Sequence, residues 1–150
     1  MGSIDTPGGV LYQENVQYND MPRLIEDEIG KKGKAKPALD LRGTDKFPIA
    51  RVVTNRIPES LTENAPYPVE MAIGFNSNFN MLSPGTDRWD KALKKLPYYV
   101  HLSPFISEMA LYADLILPSS TFLEEWGYDH SPAGSGFAEV KIKQPVVKPR

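Results

Sequence analysis

Apolar and polar positions alternate in blocks between Val69 and Glu125, and the rhythm is that of a β-α-β-α-β unit. Val69, Met71, Ile73 and Phe75 stand among Ala72 and Gly74 in a nearly continuous apolar run that halts at Asn76-Ser77-Asn78. Such a run predicts a strand covered by helices on both faces. Trp89, Ala92, Leu93 and Leu96 recur at i, i+3, i+4 and i+7, with Asp87, Arg88, Asp90, Lys91, Lys94 and Lys95 between them. This predicts an amphipathic helix over 86–96, with Thr86 as N-cap, acids in the first turn and lysines in the last. Tyr98–Leu102 reads as a second strand ended by Ser103-Pro104. Ser107–Ala113 reads as a short helix with Met109, Ala110 and Ala113 toward the sheet, and Asp114–Leu117 as a third strand stopped by Pro118. The expected fold is α/β, a three-layer Rossmann-like domain with parallel core strands near 69–75, 98–102 and 114–117.

The flanks carry weaker signals. Pro7-Gly8-Gly9 marks a turn ahead of the apolar Val10-Leu11-Tyr12, with two glycines able to take positive φ or pass close to another surface. Met21–Lys32 reads as a short helix, with Asp20 as N-cap, Leu24, Ile25 and Ile29 on one face, and Gly30 and Gly33 at its end. Ala38–Thr62 reads as irregular, with one short strand at Ile49–Thr54. Gly127–Phe137 reads as a glycine-rich loop, and Glu139–Val147 as a half-exposed strand around Val140 and Ile142. The chain has 14 prolines, most of them outside Val69–Leu117, against a usual share of about 5%. Extended proline-rich flanks are therefore expected. The expected division is an irregular segment with one short helix over 1–66 and an α/β cofactor-binding domain over 67–150.

Composition removes several classes of function. A net charge of −2 recommends neither nucleic acid nor an anionic membrane as a partner. No apolar run approaches the roughly 18 residues that span a bilayer, so a soluble chain without direct membrane contact is expected. The absence of cysteine excludes disulfides, iron–sulfur ligation and thiolate metal sites from these 150 residues.

Familiar catalytic and phosphate-binding motifs fail on inspection. Around Lys34 the spacing is wrong for a phosphate loop, with Glu28 where the first glycine would stand and Ala35 after the lysine. Gly134-Ser135-Gly136 is followed by Glu139 where a dinucleotide fingerprint needs glycine, and Ala133 breaks a nucleophile elbow at Ser135. His101 and His130 have no metal-ligand spacing; His101 reads as a packed strand residue, and Asp129-His130 as an acid/base pair or a chance loop neighbour. What remains is a set of neutral polar strand ends: Asn76, Ser77 and Asn78, then Ser103, then Ser119, Ser120 and Thr121. Amides and hydroxyls there can hydrogen-bond a phosphate, a ribose or a purine or pterin edge, or they can simply cap helices and end strands. Both readings stand on the residues alone.

The run Ala113-Asp114-Leu115-Ile116-Leu117-Pro118-Ser119-Ser120-Thr121-Phe122-Leu123-Glu124-Glu125-Trp126-Gly127 resembles the A-D-h-h-L-P-x-x-T-x-x-E-x-x-G signature of the molybdopterin oxidoreductases, the dimethyl-sulfoxide reductase superfamily, with h a hydrophobic residue. Phe105-x-Ser107-Glu108 is similar to that family's F-x-T-E stretch, and Gly74-x-Asn76 with Ser83-Pro84 to its G-x-N-P and S-x-P elements. Ile4-Asp5-x-Pro7-Gly8-Gly9 resembles its I-D-x-P-G-G turn. Phe47-Pro48, Pro58-Glu59 and Pro66-Tyr67-Pro68 resemble segments of the polysulfide and thiosulfate reductase branch.

The resemblance implies a domain holding one nucleotide arm of a bis-molybdopterin guanine dinucleotide cofactor, within a larger catalytic subunit acting on a small oxo- or sulfur compound. Carried over, the cofactor-binding residues would be Gly74, Asn76, Ser83, Ser107, Glu108 and Thr121, with Glu108 a partly buried orienter and with Asp114 and Pro118 shaping the third strand end. No catalytic residue and no metal ligand fall in this chain, so it is expected to be a fragment, inactive and without cofactor on its own. Its expected partners are the remainder of the catalytic subunit and an iron–sulfur electron-transfer subunit. Departures are Ser77 for a frequent proline, Met109 for a frequent threonine, and Ser103 for an aspartate, which weakens the case for guanosine recognition by a carboxylate. Two other readings stay open: a self-standing α/β module for another nucleotide, and a non-catalytic structural subunit.

Overall fold

The computed structural model describes residues 3–11, 16, 19, 22, 25–130 and 137–148. They fall into two compact units: Ile25–Ser119, built on a parallel sheet, and Met1–Leu24 with Ser120–Arg150, built on a hairpin-like ribbon.

The sheet unit contains the three expected strands, β1 (Ala72–Phe75), β2 (Tyr99–Ser103) and β3 (Leu115–Pro118), in the order β1-β2-β3 and all parallel. The α/β, Rossmann-like class is thus borne out. Register pairs Gly74 with His101, and then His101 with Ile116. Pleating therefore puts Ala72, Gly74, Tyr99 and His101 on one face, and Ile73, Phe75, Val100, Leu102, Leu115 and Leu117 on the other. The first face packs the core: Leu93, Tyr99 and Met109 are buried together, with Ala72, Phe79, Leu96, Tyr112 and Ala113 against them.

On the second face Val100 is buried, whereas Ile73 and Phe75 are each 65% exposed. The expected helical cover over both faces of β1 is not supplied by the described residues. Sheet order gives the reason. Two crossovers of the usual right hand that step through a sheet in the same direction lie on the same face.

Helix α1 is Glu28–Lys34, and Asp27 caps it by accepting from the Gly30 N–H at 2.7 Å. It thus starts later than the sequence suggests and runs through both glycines; Asp20, Met21 and Leu24 of the expected helix lie outside the described residues. The expected apolar face does not pack, since Ile25 and Ile29 are exposed. The strand expected at Ile49–Thr54 does not form. Instead, the Val53 N–H goes to the buried Asp40 carboxylate at 2.9 Å, and a 3-10 turn at Thr54–Arg56 leads into α2 (Ile57–Glu63).

Helix α2 buries Pro58, Ser60 and Leu61 and ends at Asn64, whose φ of 54° is in the left-handed region that asparagine tolerates. It packs along α4 (Thr86–Lys95), where Arg88 Nη1 meets Glu59 Oε1 at 2.7 Å and Lys95 donates to the Thr62 carbonyl. Helix α4 is the predicted amphipathic helix, with Trp89, Ala92 and Leu93 buried. Its N-cap is Gly85, at φ 83°, and the Thr86 hydroxyl donates instead to the Asn80 carbonyl of the short α3 (Phe79–Leu82). Phe79 stacks on Trp89 with centroids 5.0 Å apart, which fastens α3 to α4.

In the ribbon unit, Gly127–His130, expected as loop, forms β4 and pairs antiparallel with β5 (Val140–Lys143). Residues 131–136 of the expected loop lie outside the described residues. The Ile4–Val10 turn uses its glycines in the two anticipated ways. Gly8 takes φ 81°, and a Cβ on Gly9 would stand 2.1 Å from the Ser3 carbonyl oxygen. No helix among the described residues is long and apolar enough to cross a membrane.

Trp89 is the largest side chain committed to the α2–α4–sheet core. Trp89→Ala should cost about 3–5 kcal/mol, read as a lower urea midpoint, while Lys91→Ala on the wet side of α4 should stay within about 0.5 kcal/mol.

Candidate functional site

Parallel strands deliver their carboxyl ends to one edge, and in the sheet unit the three polar ends meet there. Asn76 leaves β1 with φ 46°, a left-handed conformation that lets the chain turn sharply, and its N–H is held by the Leu102 carbonyl at 2.9 Å. The Ser119 N–H reaches the Ser103 carbonyl at 3.3 Å, and its hydroxyl approaches Asn76 Oδ1 at 3.4 Å. Beside this row lies a pocket of about 250 Å³ lined by Asn76, Ser77, Asn78, Ser103, Pro104, Phe105 and Ser107. No charged side chain lines it. Its polar equipment consists of amides and hydroxyls, suited to hydrogen bonds without a fixed charge.

The residues behind the pocket are more constrained than those in front. Gly74 on β1 faces the side chains of β2 so closely that a Cβ would stand 2.4 Å from the Tyr99 hydroxyl and 2.9 Å from His101 Nδ1. The absent side chain lets Tyr99 lie across β1 and bond His101 Nδ1 at 2.7 Å. On its other side, His101 Nε2 is 3.4 Å from the Ser107 hydroxyl. A buried chain thus runs from Tyr99 through His101 to the pocket wall. Burial pushes the Tyr99 hydroxyl pKa up and the His101 pKa down, because the charged form of each loses its hydration.

Four of the six sequence-proposed residues gather here. Asn76 and Ser107 line the pocket, Gly74 lies behind it, and Glu108 supports it by accepting from Asn78 Nδ2 at 2.6 Å. That bond holds the Glu108 carboxyl below its usual range. Glu108 is exposed, however, which corrects the expectation that it is partly buried: it sits at the start of the 3-10 turn Met109–Tyr112, whose Met109 and Ala110 take the inward positions.

Ser83 is not on the pocket wall; it closes α3 by donating its N–H to the Phe79 carbonyl at 2.9 Å. Thr121 belongs to the ribbon unit. There its N–H and its hydroxyl both donate to Glu124 Oε2, at 2.8 and 3.0 Å, while the Glu124 N–H returns to the Thr121 carbonyl at 2.9 Å. The Glu124 carboxylate reaching back to the Thr121 N–H is one half of a capping box; the other half is replaced by the Thr121 carbonyl.

The sequence named Ser103 among the polar strand ends but did not assign Tyr99 or His101 to the site. The His101–Ser107 spacing crosses a strand end and a turn, so no motif encodes it; the small residue at 74, opposite a histidine in register, was the available signal. Among the described residues no three of His, Asp or Glu come together in a manner that could hold a metal ion.

A three-stranded parallel sheet with helices and an uncharged polar pocket at its carboxyl edge defines a Rossmann-like α/β class. No family model matches the chain. Among curated proteins it is 35% identical, over 99% of its length, to the arsenate respiratory reductase molybdopterin-containing subunit of Chrysiogenes arsenatis, and 34% identical over 98% to that of Shewanella. It is also 32% identical, over 99%, to the thiosulfate reductase molybdopterin-containing subunit of Salmonella typhimurium. The chain belongs to the molybdopterin oxidoreductases. It spans about a fifth of the length of these relatives: 19%, 18% and 21%.

Gly74→Ala should force Tyr99 off His101 and cost about 1–3 kcal/mol by overpacking, seen as a lower thermal midpoint. The histidine also predicts a pH dependence. Its folded pKa lies below the ordinary 6.5, so the unfolded chain binds the proton first. Its contribution is therefore intact above about pH 6.5 and is lost progressively as the pH falls below it; denaturant midpoints of wild type and His101→Gln should converge on acidification through that window.

Proposed function

We propose that this chain forms a cofactor-binding part of the molybdopterin-containing catalytic subunit of an oxidoreductase acting on a small oxo- or sulfur compound. Its carboxyl-edge pocket receives the nucleotide end of a molybdopterin guanine dinucleotide. The observation that carries this reading is the meeting of Asn76, Ser103 and Ser119 at one sheet edge, beside a pocket lined by neutral hydrogen-bonding groups. The relatives' names, which specify arsenate and thiosulfate reductases with molybdopterin-containing subunits, support the chemistry assigned to the parent.

The residues present fit one end of such a group. About 250 Å³ is below the usual range for a whole drug-sized ligand, roughly 300–1,000 Å³, and suits a phosphate–ribose or base portion. Hydroxyls of Ser103 and Ser107 and the side-chain amide of Asn76, all lining the pocket, can hydrogen-bond that portion. Bound cofactor would supply the redox chemistry; the chain's own residues bind and orient its tail.

Glu108 holds the Asn78 amide, and Gly74 admits the Tyr99–His101 pair that supports Ser107. Within the ribbon unit, Thr121 is a second cofactor contact through the acceptor capacity its hydroxyl retains beyond the bond to Glu124. Ser83 contributes at the α3–α4 turn. The exposed Ile73 and Phe75 would be covered by the remainder of the catalytic subunit, and an iron–sulfur subunit would complete electron transfer. Without those parts the chain catalyses nothing and retains no cofactor.

Calorimetric titration of the whole chain with GDP should give saturable binding of millimolar order, weakened about three- to tenfold by Asn76→Ala. ATP or NAD binding as tightly as GDP would replace this reading with a self-standing module for another nucleotide. No nucleotide binding at all would favour a structural subunit.

A further inference from the structure

We propose that His101 is a positioning residue that holds Ser107 as a hydrogen-bond donor toward the pocket, so that this part of the site takes a phosphate oxygen. The inference rests on the reading of the pocket as a nucleotide site and assigns the part of the nucleotide that Ser107 meets.

Each buried polar hydrogen around His101 needs an acceptor. Tyr99 is 2% exposed and His101 fully buried, and the hydroxyl of Tyr99 lies over Gly74, which offers its side no polar group. Among the described residues the hydroxyl's hydrogen-bond partner is His101 Nδ1. If Nδ1 carried the imidazole proton, it would donate to the tyrosine oxygen, and the tyrosine's own hydrogen would be buried with no acceptor. A doubly protonated ring would create the same orphan and add a buried charge. Both arrangements are penalised, because a buried donor left unpaired loses its hydration without replacement.

In the remaining arrangement Tyr99 donates to Nδ1 and the ring proton sits on Nε2, which faces the Ser107 oxygen at 3.4 Å. Ser107 then accepts from the ring, and its hydrogen is left to point into the pocket it lines. Ser103 is in the same condition: its oxygen accepts from the Phe105 N–H at 3.3 Å, which frees its hydrogen as well. One of the two hydrogens of the Asn78 amide goes to Glu108 at 2.6 Å. Ser103 and Ser107 therefore offer the pocket two freed hydroxyl donors, beside the Ser77 hydroxyl and the buried, unpartnered Asn78 Oδ1, and a group with several acceptor oxygens answers the two donors. Phosphate is the part of a nucleotide that fits.

The test joins a spectroscopic signature to a binding split. Imidazole-nitrogen NMR on the whole chain should show His101 protonated at Nε2 and bare at Nδ1 near neutral pH, with the tautomer preference lost in Tyr99→Phe. GDP affinity should fall several-fold in Tyr99→Phe and His101→Leu and recover in His101→Gln, whose amide can donate where Nε2 does, while guanosine affinity stays level across the series. A ring protonated at Nδ1, or at both nitrogens, in a chain that binds GDP overturns this inference and leaves the proposed function intact. So does an equal loss for guanosine and GDP. Failure of the wild-type chain to bind GDP removes the proposed function and the phosphate assignment together.

Discussion

The clearance above Gly74 is the constraint on which the organised part of this molecule depends. Tyr99 is a core residue, packed with Leu93 and Met109, yet its hydroxyl needs a partner once buried. The partner is two residues along the same strand, and the two rings can meet at 2.7 Å because β1 presents no side chain at position 74. One missing methyl group thus serves two ends. It lets an aromatic residue fill the core, and it sends a hydrogen-bonded path from that core to the pocket at the strand ends. Removing any member leaves a buried polar atom without its partner, a larger penalty than the net worth of the bond itself.

The elements that the sequence disclosed most clearly are those whose local pattern and tertiary role agree. Helix α4 was legible because its apolar period, its first-turn acid and its last-turn lysines all point the same way, and the packed face is indeed Trp89, Ala92 and Leu93. The three strands were legible as apolar runs ended by Asn, Ser or Pro. Helix α2 was not. IPESLTE opens on Ile57-Pro58 and buries a single aliphatic anchor in Leu61, and the helix is held where it lies against α4, with Glu59–Arg88 and Lys95–Thr62 across the contact. The false strand at Ile49–Thr54 failed for a complementary reason. Its β-branched residues suited a sheet, but the Val53 N–H was claimed by the Asp40 carboxylate, which no local window can foresee.

The site divides along the same line. Strand-end residues could be found from sequence, because a parallel sheet brings carboxyl ends to one edge wherever the strands lie in order. That geometry placed Asn76, Ser103 and the neighbourhood of Ser107 at the edge. It could not deliver the Tyr99–His101–Ser107 path, since a histidine in an apolar strand has the same appearance whether it is inert packing or a link. The family likeness had the converse weakness: it put Glu108 in a partly buried role, whereas in this chain the carboxylate stands in solvent and acts through Asn78. Thr121 shows how a motif residue can be occupied locally, since the T-x-x-E spacing that marks the family signature also closes a turn on Glu124.

Register ties the fold and the pocket into one specification. Side chains alternate with a period of two, so sliding β1 by one residue against β2 would bring Ile73 or Phe75 opposite His101 in place of Gly74. Either would fill the space Tyr99 occupies, and Ala72 and Gly74 would be turned out to water while the bulky residues were driven into the packed face. The slipped pairing is therefore excluded by sterics on one face before hydrophobic burial is considered on the other. That matters here because the outer face specifies little by itself, with Ile73 and Phe75 each 65% exposed. Burial of the first face already disfavours a slip, because it would exchange that face for the exposed one. The fit of Gly74 beneath Tyr99 and His101 adds a steric bar to it, and the same fit sets where the Asn76 turn and the Ser107 hydroxyl stand at the strand ends.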